Sequence, residues 1–94
     1  MGRSHRSRPS KLPKKLKRIR AALGMSQSQI VKALELDKEA VYPASISLYE
    51  LGKREPPLKV LLKYAEAANI CLDVLADDRV KLPTDLPAKK RDRH

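Results

Sequence analysis

Between Ser26 and Ile70 the chain sets short helix-forming stretches between hard stops, a spacing that suits short helices and leaves no room for a paired sheet. Ser26-Gln27-Ser28-Gln29 is a capping box: the serine hydroxyl accepts from the third helical N–H, and Gln29 reaches back to the N-cap N–H. Met25 and Ile30 can form the accompanying hydrophobic staple, and Ile30, Val31 and Leu34 give a buried stripe, predicting a helix over 27–34. Pro43 opens another helix, because the residue before a proline is pushed out of α geometry. Ile46 and Tyr49 face its core side and Gly52 stops it. After Lys53-Arg54, Glu55-Pro56-Pro57 makes a rigid elbow; Leu58, Leu61, Leu62, Ala65 and Ala68 mark the next helix, with Asn69 as a left-handed cap. A short last helix falls near 72–75. The segment 35–42 is polar and unpatterned apart from Leu36, Val41 and Tyr42.

Upstream, Leu12, Leu16, Ile19 and Leu23 fall on one helical face, with Pro13 in the first turn and Gly24 at the end. Lys14, Lys15, Lys17, Arg18 and Arg20 are then expected on the solvent arc. No stretch alternates like a strand, and three tyrosines are the only aromatics, so the reading is an all-α fold with an aliphatic core.

Charge is concentrated rather than spread. The 94 residues carry 21 Lys+Arg against 11 Asp+Glu, and nine of the basic residues precede Ala21, with no acid among them. The remaining residues hold 12 basic and 11 acidic side chains, close to balance. A basic arm over 1–11 (Arg3, Arg6, Arg8, Lys11), too polar to fold alone, is expected to order on a polyanion. A domain over 12–78 and an extended tail over 79–94, its last six residues disordered, complete the expected organisation. One cysteine, Cys71, allows no internal disulfide and favours a reducing, cytoplasmic home. No apolar run has membrane-span length, and no secretory leader is evident. With His5 and His94 in the ends and carboxylates scattered, neither a metal site, a cofactor nor catalysis is expected.

The run LKRIRAALGMSQSQIVKAL (16–34), SISLYELGKREPPLKVLLKYAEAANI (45–70) and LDVL (72–75) resembles the Xre/Cro-type helix-turn-helix family, which includes phage repressors, transcription regulators and antitoxins. The resemblance implies a five-helix, lambda-repressor-like domain whose third helix lies in the major groove of double-stranded DNA. It implies base-facing positions at Pro43, Ala44, Ser45, Ser47 and Leu48, and phosphate contacts from Gln27, Lys53 and Arg54; Lys14 and Arg18 of the first helix join the phosphate set. Three features depart from the pattern. The connection over 35–42 is about five residues longer than the usual 3–4-residue turn, Glu35 stands where a glycine is common, and helix 3 has no Arg, Gln or Asn for bidentate base contacts.

The reading is a DNA-binding transcription regulator acting as a homodimer, with Val80, Leu82 and Leu86 of the tail supplying part of the dimer contact. Alternatives are an antitoxin that also masks a toxin partner, a protein-interaction adaptor that no longer reads DNA, and a non-specific nucleic-acid binder. Ser45 and Ser47 can face DNA or bond their own helix. Leu48 fits the groove or the core equally, Leu51 fits packing better, and Glu50 is expected to pair with a helix-1 base or Lys53.

Overall fold

A computed structural model describes residues 9–89. Arg3, Arg6 and Arg8 of the arm and the tail end beyond Lys89 lie outside the described residues. The elements are α1 (Leu12–Ala22), α2 (Gln27–Ala33), a 3₁₀ turn (Leu36–Glu39), α3 (Pro43–Glu50), α4 (Leu58–Ala68) and α5 (Leu72–Ala76), with no strand among the described residues. The expected ends hold. The Ser26 hydroxyl accepts from Gln29 N–H at 3.0 Å while the Gln29 side chain accepts from Ser26 N–H at 2.8 Å. Gly24, Gly52 and Asn69 take the left-handed conformation that closes α1, α3 and α4. Leu16, Ile19, Ile30, Leu36, Ile46, Val60, Tyr64 and Leu75 are the fully buried centre.

The long connection is structured rather than loose. Glu35 (φ 54°) and Ala40 (φ 59°) are both left-handed and bracket the 3₁₀ turn. Each conformation costs an L-residue roughly 1–2 kcal/mol. Burial of Leu36 and Val41 at the two ends of the turn offsets it. The excursion leans on α4, where Lys63 Nζ donates to the Glu35 carbonyl at 3.2 Å and lies 3.9 Å from the Glu39 carboxylate.

Three expectations need correction. In α4 the phase is shifted: Val60, Leu61, Tyr64, Ala65 and Ala68 are buried, while Leu58 (60 % exposed) and Leu62 (45 %) face out. Second, the tail is docked. Leu82 and Ala88 are buried, Val80 and Leu86 pack on the core, Ala88 N–H donates to the Ala68 carbonyl at 2.9 Å, and Asn69 Nδ2 donates to the Ala88 carbonyl at 2.7 Å. Third, Lys15 and Arg20 leave the solvent arc of α1, and Lys15 explains the docking.

Lys15 is only 6 % exposed, and its ammonium donates to the carbonyls of Val74 (2.7 Å), Asp77 (3.0 Å) and Val80 (2.7 Å). An ammonium has three donors, and all three are used. Its acceptors include carbonyls at the end of α5, where positive charge is favoured. Burial lowers the Lys15 pKa, and Asp78 and Asp77 pull it the other way. Asp78 in turn accepts from the backbone N–H groups of Ser10 (2.9 Å) and Lys11 (3.0 Å) just ahead of α1, which holds its carboxyl below the usual range. The turn after α5 and the start of α1 therefore clasp each other.

Lys15→Met keeps the length of the side chain and takes the ammonium away from three carbonyls, of which that of Asp77 keeps a donor in Val80 N–H at 3.0 Å. Denaturant melts should show a loss of about 1–3 kcal/mol, with faster hydrogen exchange at Ala88. An unchanged midpoint would mean that water replaces the ammonium and that the clasp carries little.

Candidate nucleic-acid interface

The interface is built on one internal ion pair. Arg20 Nε and Nη2 donate to the two Glu50 carboxylate oxygens at 2.6 and 2.9 Å, and Nη1 donates to the Met25 carbonyl at 3.0 Å. One guanidinium thus joins α1, the α1–α2 turn and α3. Bidentate pairing of this kind fixes orientation as well as position. The hydrogen bond to Glu50 raises the Arg20 pKa further. Gln27, at the first position of α2, is half-buried, and its Nε2 lies 3.4 Å from Glu50 Oε1, which ties the start of α2 to the end of α3. Beneath the pair, Tyr64 is fully buried with no partner for its hydroxyl among the described residues, and burial pushes its pKa up.

With α3 fixed by Ile46, Tyr49 and Glu50, its outer face follows from helical phase. Pro43 and Ala44 are exposed, and Ser47 and Leu48 are half-exposed. Ser45 is not on this face: it is 9 % exposed, and its hydroxyl accepts from Tyr42 N–H at 3.2 Å as the back-bond that starts the helix. Leu51 runs the other way from expectation. At 64 % exposed it extends the Ala44–Ser47 stripe to the helix end instead of packing inward. Tyr42, 54 % exposed at the N-cap of α3, was not assigned from sequence. The signal available was an aromatic directly before the helix-opening proline.

Lys53 and Arg54 are exposed in the corner after Gly52. Pro9, from which the arm leaves, shares a hollow of about 510 Å³ with Lys14, Leu51 and Arg54. Lys14 and the arm exit therefore stand beside the basic corner. Arg18 does not. At about 100° per residue, Pro13 and Arg20 mark the α1 flank that meets α3, whereas Lys11, Lys15 and Arg18 mark the opposite flank. Arg18 Nη2 donates to the Pro83 carbonyl at 3.2 Å, on the tail side.

These elements coincide with a known sequence family: the one described as helix-turn-helix matches residues 16–75. The chain belongs to it. The match spans more than half of the protein and starts and ends inside the folded unit, so the domain is a helix-turn-helix of the Xre/Cro type, with the all-α lambda-repressor-like architecture. The family is one of DNA-binding regulators rather than of enzymes, and double-stranded DNA is the partner class that this membership supports. No curated protein and no solved structure matches the chain. No helix of the described residues is long and apolar enough to cross a membrane.

Arg20→Met isolates the ion pair. Glu50 has a side chain only 6 % exposed, so stranding its charge should cost about 3 kcal/mol. Adding Glu50→Leu removes the stranded charge and should restore much of that stability. If the double variant melts no higher than the single one, the pair's worth lies in shape rather than in charge.

Proposed function

We propose that this protein is a sequence-directed transcription regulator that binds duplex DNA in the cytoplasm as a homodimer, docking α3 in the major groove. The observation carrying the reading is the outer face of α3, set between the start of α2 and the basic corner, with the arm exit on the same hollow as that corner. Pro43, Ala44, Ser47 and Leu48 meet base edges, with Tyr42 and Leu51 at the two ends of the stripe. Gln27, Lys14, Lys53 and Arg54 hold phosphates. Arg3, Arg6 and Arg8 follow the backbone or minor groove. Phosphate contacts of this kind set register and affinity; the helix face sets sequence.

That face limits the specificity. Its side chains offer the hydroxyls of Ser47 and Tyr42, methyl and methylene surface and no bidentate donor–acceptor pair. Contact with thymine methyls suits it better than hydrogen-bonded readout of guanine or adenine. The ratio of specific to non-specific affinity then falls near the low end of the usual range of about 10³–10⁷.

The dimer surface proposed here is α4, not the tail. Val80, Leu82 and Leu86 pack within their own domain, which also weighs against a toxin-masking role for them. Leu58 and Leu62 face outward one turn apart, with Lys59 and Glu66 exposed beside them. An antiparallel pairing of α4 about a twofold axis would bring Leu62 against its own copy. It would also set Lys59 near Glu66 of the partner subunit, the self-complementarity an isologous contact needs.

Two variants test the proposal against a duplex selected from a random library. Leu48→Gln should melt close to the parent and change the preferred base at one position per half-site, by about 1–3 kcal/mol. A lower melting temperature with unchanged preference would place Leu48 in the core and remove it from the interface. Leu62→Glu should leave the fold intact while sedimentation of the DNA complex shows one subunit where the parent shows two. A dimer that survives this charge would send the contact to another face.

A further inference from the structure

The opposite flank of α1 holds a second basic surface, which shares only Lys14 with the proposed DNA contacts. Between α1 and the returning tail runs a groove of about 450 Å³ with Val80 and Leu82 in its lining and Lys11, Lys14, Arg18 and Lys81 around it. Thr84 adds an exposed hydroxyl. Its remaining charges are already committed. Lys15 spends all three donors on carbonyls, and Asp78 accepts from Ser10 and Lys11 backbone N–H groups and from the Ser10 hydroxyl. The cations are not committed in the same way. Elsewhere in the described residues Arg20, Lys38, Lys63 and Arg79 each have a carboxylate partner. Lys11, Lys14 and Lys81 make no such ion pair among the described residues, and Arg18 uses one of its five donors on the Pro83 carbonyl.

We infer that this groove binds a small phosphorylated molecule of nucleotide size, its phosphates held by Lys11, Arg18 and Lys81 and its organic body resting on Val80 and Leu82. Size supports an organic body: the volume is within the range of about 300–1,000 Å³ for small-molecule sites, and a bare phosphate would leave most of it empty. Charge supports phosphate: converging cations, one of them a guanidinium with donors to spare, suit oxyanions. Position separates the groove from the duplex. Lys11 and Arg18 point away from the flank of α1 that meets α3, and the docked tail supplies Lys81, Val80 and Thr84. The site therefore depends on the tail that the Lys15 clasp helps to fold back.

The test uses the full chain, with isothermal titration and thermal melts against inorganic phosphate, inorganic pyrophosphate and adenosine diphosphate as probes, and a short duplex measured in parallel. Adenosine diphosphate should bind and raise the melting temperature, pyrophosphate should do so more weakly, and phosphate least. Lys81→Glu reverses an exposed charge outside the proposed DNA contacts. It should weaken adenosine diphosphate binding by about tenfold or more while its melting without ligand and its duplex affinity stay near those of the parent. Arg18→Gln should weaken the same binding. Absence of binding by all three probes overturns the inference. So does binding that neither variant weakens, which places the ligand elsewhere. Equal loss of duplex and nucleotide binding in Lys81→Glu also overturns it, by making the groove part of the DNA backbone track. A parent chain that binds nucleotide but no duplex would leave this site standing and remove the DNA reading instead.

Discussion

A guanidinium inside a 94-residue chain must be paired, because an uncompensated buried charge costs several kcal/mol, a large part of what such a domain has in total. Arg20 meets that demand with Glu50, and the solution fixes the geometry of the whole reading unit. The same guanidinium holds the Met25 carbonyl, so the turn entering α2 cannot move without disturbing the pair. Gln27 then leans on the Glu50 carboxylate from the first turn of α2. The α2–α3 relation thus rests on one polar contact set as well as on apolar packing. A polar contact has angular preferences that aliphatic side chains lack. That is the property a docking surface needs.

Lys15 performs the matching task on the other flank of α1. The helix is thereby used twice: Arg20 and Pro13 face α3, and Lys15 and Arg18 face the tail. The basic side chains of α1 look equivalent in sequence, yet they divide into one internal clamp (Arg20), one internal clasp (Lys15) and the cations left at the surface. Only the last group remains for a polyanion, so formal net charge overstates the electrostatic footprint of this helix.

What could be read from sequence was whatever is encoded locally. Caps and stops are short-range chemistry, which is why the Ser26–Gln29 box, Gly24, Gly52 and Asn69 marked their helix ends correctly. A pairing of Glu50 with a base of helix 1 was legible too, because only a few cations lie within reach of the end of α3. The failures involve partners far along the chain. Lys15 reads as solvent-facing because its acceptors come from 59 to 65 residues later. The tail reads as loose because its Leu-Pro pairs carry no period, although its apolar side chains find the core. The phase of α4 was ambiguous for another reason: seven of its residues are Leu, Val or Ala, and a wide apolar arc does not say which edge is covered. Of the proposed site residues, Ser45 was misplaced because a serine at the third position of a helix serves the N-cap as well as it serves a base.

The long connection between α2 and α3 raises the question of whether the docking geometry survives it. In a short turn, a glycine supplies the left-handed step that ends α2. Here Glu35 takes that step despite its Cβ, and Ala40 takes a second one before the chain re-enters α3. Two reversals with a 3₁₀ turn between them lead the chain out and bring it back, so the added residues form a side excursion instead of lengthening the path. Lys63 holds the excursion against α4 through the Glu35 carbonyl, and buried Leu36 and Val41 anchor its start and finish. The excursion packs on α2 and α4. The inserted residues are thus absorbed on the side of the domain where length costs least, and the Arg20–Glu50 pair can hold α2 and α3 as if the turn were short.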